Sequence, residues 1–231
     1  MIPLRDANPS RHVPLVTIVL IAVNLAAFLY ELSLGPQGLE RLVYQLGVIP
    51  SRLTTFPRQP DVGFGDAFLP LLTSMFLHGG WLHLLGNMWF LWIFGDNIED
   101  RLGKVRYLLF YLVCGLGAGL AHALFNLGSN IPTIGASGAV AGVLGGYLVL
   151  FPTARVLTLV PFFFLILANL PAWLILLYWF VIQFFSGAMS LGAGRGEAGG
   201  VAWWAHVGGF VLGALLVRLL VRRRRVRVVI P

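Results

Sequence analysis

A serine hydroxyl attacks carbonyl carbon only when a base removes its proton, and this chain offers one pairing suited to that task. Ser137 stands in Gly135-Ala136-Ser137-Gly138, and His206 in Ala205-His206-Val207-Gly208. Both lie in apolar, glycine-rich stretches, where a polar side chain is costly without a task. Neutral imidazole is the favoured form of His206 in a desolvated site, and neutral imidazole is a base. Attack on a carbonyl builds negative charge on oxygen, and each preorganised donor aimed there contributes about 2.7–4 kcal/mol. His83 and Asn87, at i and i+4, present two donors on one helix face. The backbone N–H of Ser137 adds a third if the serine opens a helix. Gly135 and Gly138 then let the backbone turn tightly and let a substrate strand come close.

Those residues need elements to carry them, and composition fixes the solvent. The chain has 231 residues, 58% hydrophobic and 11% charged, against about 25% charged in a soluble domain. An all-α polytopic membrane protein fits, read as one transmembrane domain over residues 1–231. Apolar runs at about Pro14–Leu32, Trp81–Phe94, Tyr107–Phe125, Gly135–Phe151, Leu157–Phe185 and Val201–Val221 predict six spans. The mixed segment from Leu34 to Pro70 has Leu39, Leu42, Val43 and Leu46 at helical spacing, and reads as an amphipathic interfacial outer loop. Gly95 to Arg106, with six charged residues, reads as a solvated turn.

Six spans put both termini on one side, a short arm of about residues 1–12 and a basic tail of about 222–231. That side holds twelve of the sixteen Lys and Arg residues, so the positive-inside rule makes it cytoplasmic. Spans two, four and six then start at the outer face. His83, Asn87, Ser137 and His206 all fall in the first two turns of those spans, within about 10 Å of the outer boundary at 1.5 Å per residue. Three helices thus bring their polar residues into one layer. The basic tail lacks the interleaved aromatics of a single-strand groove, which argues against a nucleic-acid partner. It reads instead as an anchor at an anionic leaflet.

The combination of Gly135-Ala136-Ser137-Gly138, His83-x-x-x-Asn87 and Ala205-His206-Val207-Gly208, each opening a span, resembles the rhomboid intramembrane serine proteases. His78, Gly95-Asp96 and Glu99-Asp100-Arg101 agree, and the likeness covers roughly Pro70 to Leu216. It implies a six-span bundle and cleavage of peptide bonds in or beside transmembrane segments of membrane-protein substrates. Ser137 would be nucleophile, His206 base and then acid, His83 and Asn87 oxyanion donors, and His78 a support for the first outer loop. No cofactor and no metal are implied. A bacterial cytoplasmic membrane is the expected location. Two departures stand out. The Trp-Arg pair that some members carry in the first outer loop is missing, and Ala141 stands where some have an aromatic residue stacking on the histidine. Trp203, Trp204 and Tyr147 are then the candidate neighbours of His206.

Gly138, Gly142 and Gly146 recur every four residues, as do Ala205, Gly209 and Gly213, so spans four and six are expected to touch. Pro161 and Pro171 predict a kinked span five, which the resemblance suggests moves aside to admit a substrate helix. Among rival functions, a metalloprotease would want His-Glu-x-x-His, which is absent. Zinc held by His78, His83 and His206 would leave the serine motif unexplained. A transporter would place its polar layer near the midplane. An inactive rhomboid-like scaffold that binds transmembrane helices is the nearest competitor; such relatives typically lack the serine or the histidine.

Overall fold

The computed structural model describes residues 1–161, 165–192 and 201–221. The expected basic tail at 222–231 therefore lies outside the described residues. The elements run β1 (Ile2–Asp6), α1 (Leu15–Ser33), α2 (Gly35–Leu46), α3 (Pro50–Thr55), α4 (Phe64–Thr73), α5 (Trp81–Leu102), α6 (Lys104–Phe125), α7 (Ser137–Leu150), β2 (Arg155–Pro161), β3 (Leu165–Pro171), α8 (Ala172–Gly192) and α9 (Trp203–Leu220).

The helices are sorted by a reversed amphipathy. In α1 the buried positions are Thr17, Leu20, Asn24, Phe28 and Glu31, one face at helical spacing. Ile18, Val19, Leu25, Leu29 and Leu32 on the other faces are exposed, as suits lipid rather than water. Among the described residues α1, α6, α8 and α9 are each long and apolar enough to cross a bilayer, and α4 with the following 3-10 turn joins α5 as a pair bent by 78°. The protein is thus an integral membrane helical bundle. The helix α7, at 14 residues, is shorter than a span.

That short helix is the centre of the molecule. Every residue from Gly138 to Tyr147 is buried, and α7 packs more extensively on α9 than any other two elements pack together. Glycine makes this possible. A Cβ on Gly209 would collide with the carbonyl oxygen of Gly138, and one on Gly213 with that of Gly142. Both predicted small-residue ridges meet here. The amphipathic segment forms a helix: α2 carries all four of its helically spaced apolar residues.

Two stretches differ from expectation. Gly95 to Arg106 is not a solvated turn. The helix α5 continues through it to Leu102, and the reversal is made by Gly103 alone, at φ 78. Glu99 is buried there, and its carboxylate accepts from the N–H groups of Val16 and Thr17 and from Thr17 Oγ1 at 2.9–3.0 Å. It satisfies the free backbone donors that open α1, which has no cap of its own. The charged run hid this because its one buried member is charged like its partly exposed neighbours.

The second difference corrects the expected fifth span, Leu157–Phe185. Only its second part is helical. Residues 155–161 and 165–171 form an antiparallel hairpin in register from Arg155 opposite Pro171 to Pro161 opposite Leu165. Pro161 and Pro171 close strands instead of kinking a helix, so the kink expected of span five is withdrawn. Apolar runs of this length suit a strand and a helix equally, and both prolines sit where a strand can lose a donor. The N-terminal arm, expected only as a short terminal arm, supplies the third strand: β1 pairs with β2, giving the order β1-β2-β3. Trp89 Nε1 donates to Pro3 O, and Tyr147 Oη and Asn97 Nδ2 both donate to Asp6 Oδ2, at 2.7 and 3.0 Å. Burial pushes the Asp6 carboxyl up to about 6 even with the Tyr147 hydroxyl donating to it.

Candidate active site

The chain that leads into α7 is tied down on three sides. Val48 and Thr133 exchange backbone hydrogen bonds at 2.8 and 2.9 Å, His122 Nε2 lies 2.9 Å from Thr133 Oγ1, and Gly135 N donates to Ser74 O at 2.9 Å. Gly135 has φ 131, a conformation that disfavours any side chain. A Cβ there would lie 2.6 Å from His83 Nε2 and 3.6 Å from Ser137 Oγ, so both atoms face the same bare Cα. Ser137 opens α7, whose first turn has no side-chain cap, leaving its N–H groups free.

One turn of α7 and one of α9 then set the serine beside the histidine's helix. A Cβ on Gly138 would meet Ala118 Cβ at 2.5 Å and Ala205 O at 3.6 Å, next to His206. Ser137, His206, His83 and Asn87 all line one cavity of about 550 Å³, together with Trp179 and Gln183 of α8. The four residues singled out for chemistry are thus gathered by α5, α7 and α9. Among the described residues no hydrogen bond joins Ser137 Oγ to His206. In unliganded sites such bonds are often long and tighten only once substrate binds.

The ring nitrogens divide the roles. Gly79 N donates to His83 Nδ1 at 3.4 Å, so in a neutral ring the proton sits on Nε2, the atom that faces Gly135. Asn87 Nδ2 is buried and has no hydrogen-bond partner among the described residues. A donor left so costs about 1–3 kcal/mol, and here it borders the cavity. His78 is buried, its ring edge-on to His83 at 5.2 Å, and its backbone N–H donates to the Glu31 carboxylate at 3.1 and 3.2 Å. It links the end of α1 to the turn that carries His83. Among the described residues no three His, Cys, Asp or Glu side chains are grouped to hold a metal ion.

His206 has neighbours that the sequence did not give. Its Nδ1 lies 2.7 Å from Gln183 Oε1. Trp179 lies 5.7 Å away at 35° and Trp203 6.3 Å away at 87°. Of the three candidates expected, Trp203 is in place. Trp204 instead stacks on Phe125 at 3.9 Å, and Tyr147 faces Phe94 and Asp6. The signal for Gln183 was present: it is the one amide in the apolar run 172–192.

Comparison with known proteins decides the lineage. The rhomboid domain family model matches residues 66–223, more than half of the chain. The chain belongs to the rhomboid family. Its rhomboid relatives include RHOMBOID-like protein 4 of Arabidopsis thaliana, 36% identical over 165 residues, which is 69% of this chain and 36% of that protein. RHOMBOID-like protein 6, mitochondrial, of the same plant is 39% identical over 106 residues, 43% of this chain and 34% of that protein. Rhomboid protease GluP of Bacillus subtilis is 35% identical over 136 residues, 58% of this chain and 24% of the protease. This rhomboid chain therefore spans about a third or less of the relatives' lengths. One of them is named as mitochondrial and another is from a bacterium, so they do not select a membrane for it.

Proposed function

We propose that this rhomboid is an intramembrane serine endopeptidase that cuts peptide bonds in or beside the transmembrane segments of other proteins. The observation that carries the reading is the meeting of Ser137, His206, His83 and Asn87 in one cavity between α5, α7, α8 and α9. Ser137 Oγ attacks the carbonyl carbon and its proton passes to His206 Nε2. The oxyanion is received by His83 Nε2–H, Asn87 Nδ2–H and the Ser137 backbone N–H. His206 then gives the proton to the leaving amide nitrogen, the C–N bond breaks, and an acyl ester remains on Ser137. Water attacks that ester, again with His206 taking and returning the proton, which frees the acid and the serine. Gly135 and Gly138 keep the backbone bare where the substrate must approach, and His78 holds His83 through the α1 contact.

The excess of Lys and Arg on the terminal side supports cytoplasmic termini, with the cavity near the opposite, outer face. One observation favours a second reading, a rhomboid-like scaffold that binds transmembrane helices without cutting them: Ser137 and His206 share the cavity without a hydrogen bond between them. Labelling separates the two. A serine-directed fluorophosphonate in detergent should modify the wild-type protein and leave Ser137→Ala and His206→Ala unmodified. Equal labelling of wild type and Ser137→Ala, or none of either, rejects the peptidase. Activity lost to a chelator and restored by zinc would instead bring back a metal site.

A further inference from the structure

The contact between His206 and α8 calls for its own account. Most of α8 presents apolar side chains outward: Leu177, Tyr178, Val181, Ile182, Phe184 and Phe185 are all exposed. Gln183 alone turns a buried amide inward, and its oxygen ends 2.7 Å from His206 Nδ1. One turn earlier on the same face, Trp179 lies against the imidazole at 5.7 Å. The helix thus grips the ring twice, by an amide at one nitrogen and an indole at one side.

The grip has a chemical sense. Neutral imidazole carries one proton, and its two nitrogens cannot both accept. An amide oxygen accepts only, so a proton on Nδ1 satisfies it and leaves the lone pair on Nε2. A buried amide oxygen without that proton would be left unpaired, at about 1–3 kcal/mol. This energy selects one tautomer by about 5- to 150-fold, at 1.4 kcal/mol per factor of ten.

We propose that Gln183 is a positioning residue for His206, holding the imidazole in the orientation and tautomer that make Nε2 the base. The inference rests on the peptidase reading for its consequence, though not for the pairing itself. In serine hydrolases with a third residue, a carboxylate orients the histidine and stabilises the imidazolium. A carboxylate at this depth would have to be desolvated, at a cost of several kcal/mol. An amide orients the ring without bringing a charge into the bundle. When His206 takes the Ser137 proton at Nε2, the Nδ1–H···Oε1 bond persists, so no second proton moves. The ionisable groups acting on His206 are His83 from α5 and His122 from α6. Neither is a carboxylate, and the partner of Nδ1 is the Gln183 amide oxygen.

Two measurements on the full chain in detergent test this. In protein labelled with 15N-histidine, the His206 signals, identified by their loss in His206→Ala, should show protonated Nδ1 and bare Nε2. Gln183→Leu should move them towards exchange between tautomers, and Gln183→Glu should restore the Nδ1-protonated pattern. In the second, fluorophosphonate labelling of Ser137 is followed against pH. Gln183→Leu should slow labelling by about 10- to 1000-fold at the plateau, with the midpoint of thermal unfolding unchanged. Gln183→Glu should recover rate but shift the acidic limb to higher pH, because a carboxylate stabilises the imidazolium. A role in packing alone would lower the melting midpoint and leave the pH profile in place. Normal wild-type labelling, with nitrogen shifts and pH profile indifferent to Gln183, overturns the proposal and spares the peptidase. Nitrogen shifts that respond to Gln183→Leu in a protein that never labels sustain the pairing and reject the peptidase.

Discussion

Gly209→Ala adds one methyl group on α9, aimed at the carbonyl oxygen of Gly138, the residue after the candidate nucleophile. Intrinsic helix propensity favours the change by about 0.8–1.0 kcal/mol. The collision opposes it. The new Cβ would lie far inside the roughly 3.5 Å at which nonbonded atoms rest, so α7 and α9 must part by more than about 1 Å. Overpacking of this kind costs about 1–3 kcal/mol in a close-packed interior, and no flexible side chain is available to yield, because the obstacle is backbone. The net expectation is a loss of up to about 2 kcal/mol. The functional effect should be larger, since a displacement near 1 Å between reacting groups can cost about 100-fold in rate. Thermal unfolding in detergent and the rate of serine-directed labelling measure the two effects separately. Gly213→Ala makes the same collision with Gly142 one turn further from Ser137, and should lose similar stability with a smaller rate penalty. Gly65→Ala on α4, which meets nothing within 4 Å, is the neutral control. If Gly209→Ala matches wild type in both midpoint and rate, the claim that helix proximity sets the site is wrong.

Three further outcomes are expected. Glu99→Gln should destabilise the bundle by about 1.5–3 kcal/mol, because it exchanges a charged acceptor of three hydrogen bonds for an amide that presents a donor to the α1 terminus; a reversible denaturation series gives the value. Gly135→Ala should lower labelling at least about 100-fold, as its Cβ would lie 2.6 Å from His83 Nε2 at a φ of 131; unchanged labelling would remove His83 from the site. The Asp6 carboxyl is raised from an ordinary 3.8 to about 6, so between those values the folded state holds a proton that the unfolded state has released. Its contribution to stability therefore falls as pH rises through that window. The unfolding midpoint of wild type should drop relative to Asp6→Asn between pH 4 and 6.5, and parallel curves would refute the assignment.

Much of the site was legible because the membrane restricts where polar groups can be. Ser137, His83, Asn87 and His206 could be placed at one depth by counting residues from the ends of apolar runs, and the glycine ridges said which helices touch. Depth fixes one coordinate only. The rotation of α8 about its axis, which brings Gln183 and Trp179 onto His206, is set by packing that no periodicity in an evenly apolar helix reveals. The hairpin was hidden for a related reason: 155–171 is apolar almost throughout, so neither a period of 2 nor of 3.6 stands out. Its punctuation, Pro161 and Pro171, was visible but fits a kinked helix as well as the ends of strands. Glu99 was masked by its company, since Asp96, Asp100 and Arg101 beside it make the segment look wet. The β1 strand could not be read from residues 2–6, because its partner is supplied by the hairpin.

At a rise of 1.5 Å per residue the 14 residues of α7 reach about 21 Å, whereas hydrocarbon is about 30 Å thick. A helix walled in by its neighbours cannot stretch to make up the shortfall, and it touches too little lipid to thin the bilayer around it. Some of the missing length must be crossed by plain chain, the Thr133-to-Ala136 stretch that Val48, His122 and Ser74 hold. Irregular backbone at that level survives only against protein or beside water. On the peptidase reading, that shortfall would set Ser137 below the membrane surface at the foot of the cavity, where hydrolytic water could reach it.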